Sequence, residues 1–287
     1  MPSFESIQPL YTVYYYTDFL YRIVKFKRSS LGFAVRDQKE EPEGRFSQSY
    51  SRSRSMVLQY ALCNPWDYFI TITVSPENFD RYDLDGIYRQ LYVFFRLYGQ
   101  AHGKISYLLV PERHKDGAWH FHGFVSGVLP SSLSQFVPGI HPQKLIDAGY
   151  LNWGALAAFI GYVSLSPVKN PVGAGFYLVK YITKEHAHDA FYQHLYYHSQ
   201  GLKTACPVSD CYSHNSYLDS FLTYESDFCS CGWAKLNKPD FTFPFMRDCE
   251  IRYEEELTLV DLESLDVADQ ASEDGVMEKF SFVQLCR

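Results

Sequence analysis

Two stretches of the chain alternate apolar and polar side chains with a period of two. One is Tyr68-Phe69-Ile70-Thr71-Ile72-Thr73-Val74, and the other is Trp119-His120-Phe121-His122-Gly123-Phe124-Val125. Both predict strands, and in the second His120 and His122 share one face while Trp119, Phe121 and Val125 take the other. The strand over 68–75 closes at Ser75-Pro76, and a helix at about 83–100 follows, its apolar stripe formed by Ile87, Leu91, Phe94, Phe95 and Leu97. The pattern then predicts a hairpin over 105–126, a short helix near 131–137, a strand over 161–167 ended by Pro167, a helix at about 174–187 and a strand within 191–198. That order implies an α+β domain, an antiparallel sheet of about five strands flanked by helices. Residues 1–24 are aromatic and suit a strand or short helix. The stretch from Arg22 to Arg54, rich in Arg, Lys, Ser and Gly, reads as a basic, loosely ordered arm.

The hairpin decides which residues can meet. Ile105 to Val110 is apolar, and Asp116-Gly117 marks the turn before the histidine strand. A two-residue turn would set Glu112 opposite Phe121, on the wrong face. A three-residue loop, with Lys115 and Asp116 in the turn and Gly117 in the left-handed conformation, sets Glu112 opposite His120. The second register is the one expected here. It gathers one carboxylate and two imidazoles into a three-ligand site with open positions, which suits Mg²⁺ or Mn²⁺ acting on a phosphate better than a closed structural zinc. A pair of structural histidines in an apolar strand would give the same sequence pattern.

After Gly173 and Gly175 the chain reads Phe176-Tyr177-Leu178-Val179-Lys180-Tyr181-Ile182-Thr183-Lys184. At about 100° per residue, Tyr177, Lys180, Tyr181 and Lys184 share one face of a helix, with Phe176, Leu178, Val179 and Ile182 opposite. An ordinary amphipathic helix has the same pattern. The chain holds 24 Tyr and 22 Phe, so a single tyrosine carries little weight without a partner site.

Together, Glu112, the His120-Phe121-His122 triplet and the tandem Tyr177-Leu178-Val179-Lys180 and Tyr181-Ile182-Thr183-Lys184 resemble the HUH endonucleases. The nearest likeness is to the two-tyrosine rolling-circle replication initiators of small single-stranded DNA phages, the gokushovirus-like Microviridae. The run Tyr68 to Val74 resembles the strand that opens that domain, and the similarity spans roughly residues 60–205. It implies an antiparallel sheet with the histidines on a central strand and the tyrosine helix beside it. By the same resemblance Glu112, His120 and His122 hold the metal, Tyr177 and Tyr181 are the nucleophiles and Lys180 assists. The implied activity is a nickase and strand transferase acting on single-stranded DNA at a replication origin, with the host's helicase and polymerase as partners. Lys184, Arg113 and Lys115 are the expected DNA contacts. Relatives with other roles, a transposase or a mobilisation relaxase, share these motifs.

Charge refines the picture. The formal net charge is -7, but residues 248–287 hold 3 Lys and Arg against 12 Asp and Glu, so the rest of the chain is mildly basic. The expected organisation is an aromatic and basic arm over 1–59, the nuclease domain over 60–205, an irregular extension over 206–247 and an acidic, loosely attached tail over 248–287. Cys206, Cys211, Cys229 and Cys231, with His214 nearby, lack a usual zinc spacing, and free thiols in a reducing bacterial cytoplasm are expected. Glu5, Asp18 and Arg22 interrupt the first residues, so neither a signal peptide nor a membrane span is expected.

The chemistry also follows from the residue types. A free phenol, with a pKa of about 10, is almost wholly protonated at neutral pH. A metal-bound phosphate and a neighbouring ammonium would favour the phenolate, and Lys180 is spaced for that. Two readings from other classes use the same residues. A non-catalytic single-strand binder would need only the aromatic surface. A metal-dependent hydrolase would need the Glu and His ligands but neither tyrosine.

Overall fold

The structure, a computed structural model, describes residues 9–17, 20–27, 42–182, 194–225 and 229–235, with 42–49 as backbone alone. Among these residues the chain is α+β, with two antiparallel sheets and six helices, and it divides into two compact units. No helix among them is long and apolar enough to cross a membrane.

The larger unit contains the described residues between 42 and 203. Its elements are α1 (Pro42–Leu62), β3 (Tyr68–Val74), α2 (Leu84–His102), β4 (Ser106–Arg113), β5 (Trp119–Ser126), β6 (Leu133–Gln135), α3 (Gln143–Asp147), β7 (Leu151–Trp153), α4 (Gly154–Ile160), β8 (Gly161–Pro167), α5 (Pro171–Val179) and β9 (Tyr197–His198). Seven strands form one sheet in the order β6-β7-β8-β3-β5-β4-β9, with β3 in the middle.

One face of this sheet is a closed apolar core. Ile70, Ile72, Phe121, Val125, Tyr107, Leu109, Val163 and Leu165 pack there against Ile87, Leu91, Phe95 and Tyr98 of α2. Each such side chain, fully buried, contributes about 1.5–3 kcal/mol. The helix starts where its sequence predicts, because Asp83 accepts a hydrogen bond from Gly86 N at 3.0 Å and satisfies an orphan donor of the first turn.

The opposite face carries the alternate residues. At one end Phe69 and Phe124 are covered, with Trp66 stacked on Phe124 at 5.5 Å and Tyr177 against Phe69 at 5.7 Å. Here α1 lies against α5. Gly175 permits the approach, since a Cβ there would come 2.8 Å from Leu62 Cδ2. Toward the other end of the strands the same face presents Thr71, Thr73, His120, His122 and Glu112.

Several elements differ from the sequence expectation. The arm from Arg22 to Arg54 is not loose throughout: it contains strand β2 (Leu20–Phe26) and the start of α1, whose later residues Val57, Leu58, Ala61 and Leu62 are buried. The stretch 131–137 is not a helix. A 3₁₀ turn over Pro130–Ser132 leads into β6, which pairs with β7 at the sheet edge. The tyrosine helix starts earlier than expected, at Pro171, with Asn170 Oδ1 accepting from Gly173 N at 2.9 Å. It ends at Val179, and i→i−3 bonds to Tyr177, Leu178 and Val179 carry the chain through Lys180, Tyr181 and Ile182. Residues 183–193, including Lys184, lie outside the described residues.

The smaller unit combines residues distant in sequence. β1 (Tyr11–Thr17), β2, β10 (Cys206–Cys211), β11 (Leu222–Glu225) and β12 (Cys229–Lys235) form a sheet in the order β10-β1-β2-β12-β11, with α6 (Ser216–Asp219) between β10 and β11. The described part of 206–247 is therefore regular structure, where an irregular extension was expected. Its strands find partners about 200 positions away, beyond the reach of any local pattern. Tyr11, Val13, Ile23, Leu218 and Phe221 form its core. Among the described residues Cys63, Cys206, Cys211, Cys229 and Cys231 form no disulfide with one another. The acidic tail lies outside the described residues.

Candidate active site

The hairpin adopts the three-residue loop. Gly117 N bonds to His114 O, His114 N bonds to Ala118 O, and Gly117 has φ +86°. A residue with a side chain is disfavoured in that left-handed conformation, which is why a glycine stands there. The resulting register pairs Glu112 with His120 and Val110 with His122 across β4 and β5. The carboxylate and both imidazoles thus share one face, as the loop length predicted.

Their side chains are tied to both neighbouring strands. Thr71 and Thr73 of β3 lie directly across from His122 and His120. Thr71 Oγ1 is 3.3 Å from His122 Nδ1, and Thr73 Oγ1 is 3.3 Å from His120 Nδ1. On the other side His122 Nε2 is 2.7 Å from Glu112 Oε2, so the His122 ring bridges β3 and β4. The His120 ring stacks on that of His114 at the hairpin tip, with centroids 4.9 Å apart. Burial opposes ionisation of Glu112. The hydrogen bond to His122, and then the charges of His122, His120 and Lys180, outweigh it and hold the carboxyl below its usual range.

The tyrosines meet this group from α5 and the turn after it. The Tyr181 ring lies on the His122 ring, 3.9 Å away and 6° from parallel. Its hydroxyl donates to Tyr177 Oη at 2.7 Å. Lys180 Nζ sits 4.4 Å from the Tyr177 ring centroid and 5.4 Å from that of Tyr181. Tyr181 is buried, whereas Tyr177 and Lys180 are half-buried. Burial first, then the Tyr177 phenol and the Glu112 carboxylate, push the Tyr181 hydroxyl well above its ordinary range.

The structure therefore brings together Glu112, His120, His122, Tyr177, Lys180 and Tyr181. Arg113 and Lys115 are exposed at the hairpin, where the Arg113 guanidinium lies 5.7 Å over the Trp119 ring. An ion pair between Arg81 and Asp116 ties the hairpin tip to the loop before α2. Sequence reasoning missed Thr71 and Thr73. Their signal was the same alternation that marks the strand, but it has meaning only once β3 is known to lie beside β5.

Among the described residues no group of three or more His, Cys, Asp or Glu side chains is gathered around one point, and Glu112 and His122 are hydrogen-bonded to each other. The chemistry of the donor set nevertheless fits a hard divalent cation. It offers one carboxylate and two imidazoles, each imidazole with a hydroxyl 3.3 Å from its Nδ1.

No curated protein and no solved structure matches the chain. Residues 67–186 match the model of the REP_ORF2-G2P family, replication-associated protein ORF2/G2P. The matched segment runs from the start of β3 past Tyr181, takes in every residue of the group above, and supports a replication initiator.

Proposed function

We propose that this protein initiates rolling-circle replication by nicking single-stranded origin DNA through metal-assisted transfer of a phosphate to tyrosine, and later rejoins the strand. One observation carries this reading. The phenol pair lies against the imidazole that is hydrogen-bonded to Glu112, within a segment similar to replication-associated proteins.

In this mechanism Tyr177 Oη attacks the scissile phosphorus. The P–Oη bond forms as the P–O3′ bond breaks, which leaves a 5′-phosphotyrosine and a 3′-OH that takes up the phenolic proton. Lys180, beside both rings, favours the phenolate. Glu112, His120 and His122 would hold Mg²⁺ or Mn²⁺, which supplies charge neutralisation at the non-bridging phosphate oxygens. Tyr181 cuts the regenerated junction in the second round, and the released 3′-OH attacks the first phosphotyrosine. Each exchange trades one phosphodiester for another, so no nucleotide hydrolysis is needed. Arg113, Lys115 and Lys184 contact the strand. The host helicase and polymerase extend the 3′-OH in the bacterial cytoplasm.

The test is incubation with a labelled library of single-stranded origin sequences and Mn²⁺, followed by a denaturing gel. A protein-linked band that disappears with EDTA and in the Tyr177→Phe/Tyr181→Phe double variant is expected. Cleavage that persists in the double variant rejects the tyrosine mechanism. Tight DNA binding with no adduct under any condition favours a non-catalytic single-strand binder.

A further inference from the structure

We infer that the turn Val137-Pro138-Gly139-Ile140 is a wedge, which inserts its two aliphatic side chains between bases where the single strand meets duplex beside the nick site. The inference takes its substrate class from the proposed function, but it concerns residues outside the group that carries the chemistry.

The turn is rigid by construction. Ile140 N donates to Val137 O at 3.2 Å, Pro138 brings its fixed φ, and Gly139 has φ +81°, which together make a type II turn. Such a turn holds its first and last Cα atoms within about 7 Å, so Val137 and Ile140 form one apolar point. Its base is closed as well. Val137 N donates to His141 Nδ1 at 3.0 Å, and the His141 ring packs on that of Phe136, 4.6 Å between centroids. The point itself stands in water, with Ile140 75% and Val137 48% exposed. A pair of aliphatic side chains fixed in that way gains free energy when an apolar partner covers it.

The root of the turn lies beside the candidate site. Phe136, directly after β6, is buried, and its ring stacks on that of Tyr162 in β8 at 5.8 Å and 4° from parallel. Tyr162 lies opposite Thr73, Thr73 opposite His120, and His120 opposite Glu112, so one row crosses four strands on the face of the site. By the spacing of strands the Tyr162 backbone is about 10 Å from that of His120. Size and charge identify the occupant. Two side chains on a turn supply far less than the roughly 1,000 Å² that a specific protein interface buries, whereas one or two aliphatic side chains suffice to part a base step. The neighbourhood also suits a polyanion. From Gly117 to Lys180 the chain carries Lys144, Lys169 and Lys180 against a single acidic residue, Asp147, which accepts a hydrogen bond from Gln143 at 2.8 Å. A wedge there parts the bases next to the strand that the tyrosines attack.

The experiment uses the full chain and two fluorescent probes, a DNA single strand of randomised sequence and the same strand ending in a short duplex whose last base pair carries 2-aminopurine. Anisotropy reads affinity, and 2-aminopurine emission, which stacking quenches, reads insertion. The wild type should raise the emission and bind the forked probe more tightly than the single strand. Val137→Ser/Ile140→Ser should abolish the rise and weaken binding of the forked probe by about tenfold, the lower end of what burying one aliphatic side chain contributes, with single-strand binding unchanged. Val137→Leu/Ile140→Leu should keep both signals. A folded serine variant that behaves as the wild type, or that loses both probes equally, overturns the inference. So does one whose only change is a smaller oligomeric state in sedimentation, which marks the turn as a contact between copies. A wild type that parts the bases of the forked probe but forms no covalent adduct with the origin library overturns the proposed nicking instead and leaves the wedge standing. One that binds neither probe overturns both.

Discussion

The Tyr181 ring lies flat on the imidazole of His122, 3.9 Å between centroids, while its hydroxyl donates to Tyr177 Oη at 2.7 Å. The two phenols are therefore not equivalent. One is packed on the histidine and raised in pKa, and the other receives its hydrogen bond and is less buried. Tyr177 ionises as the acceptor of a hydrogen bond already in place, whereas Tyr181 must ionise against its burial.

The first adduct should accordingly map to Tyr177. Tyr177→Phe should abolish first-strand cleavage. Tyr181→Phe should retain it at a rate about tenfold lower, the effect expected from one hydrogen bond of ~1.4 kcal/mol. Peptide mapping of the trapped adduct and single-turnover kinetics check both outcomes.

Glu112 is held ionised against its burial by His122, His120 and Lys180. Glu112→Gln keeps the shape and removes the charge. Mn²⁺ affinity should fall by at least roughly tenfold, since even outer-shell partners are worth that much. A titration followed by electron paramagnetic resonance measures it, with the circular dichroism spectrum expected to remain that of the wild type.

In the smaller unit Asp219 accepts hydrogen bonds from Lys25 at 2.7 Å and Tyr11 at 2.9 Å, and His214 Nε2 lies 2.9 Å away. Burial would raise its carboxyl, but the bonds from Lys25 and Tyr11 and the charges of Lys25 and His214 lower it. The stabilisation is fully present above the ordinary carboxylate range, near about pH 4, and fades as pH falls through the depressed folded value. Lys25 is shifted the other way: burial lowers it, but Asp219 and Tyr11 raise it further. Its contribution is therefore lost only above about pH 10. Asp219→Asn should cost about 1 kcal/mol at pH 7, because the pair is partly exposed and screened, and the difference from wild type should vanish in acid. Urea denaturation at several pH values tests this.

Gly123 lies on β5 beside His122, and a Cβ there would stand 1.9 Å from Leu108 O and 2.9 Å from Leu109 Cα. Backbone atoms of a central strand cannot give way as a flexible side chain can. Gly123→Ala should therefore destabilise the larger unit by about 3 kcal/mol, at the upper end of overpacking effects, and move β4 away from β5. A lowered thermal midpoint, with loss of Mn²⁺ binding in the fraction still folded, is the expected result.

What could be read in the sequence was local. The alternation in 68–74 and 119–125 followed from side chains pointing to opposite sides of a strand, and the Asp116-Gly117 turn implied the loop that places Glu112 opposite His120. Most of the apolar stripe of α2 was legible for the same reason, since a helix repeats within a few residues, although Leu97, expected in the stripe, stands exposed. The helix over 42–62 was hidden in a polar stretch, because most of its described buried residues fall in its last turns and matter only once α5 lies against it.

The rest depended on which segments become neighbours. Only the folded chain could show that β3 lies beside β5, and hence that Thr71 and Thr73 hold the imidazoles. Likewise, only the turn after Val179 shows how Tyr181 comes to rest on His122, because the chain leaves α-helical geometry there. The pairing of β1 and β2 with β10 and β12 has the same origin. A residue's own strand or helix determines the side toward which it points. Its partner there is set by burial summed over the whole sheet, which no short window of sequence contains.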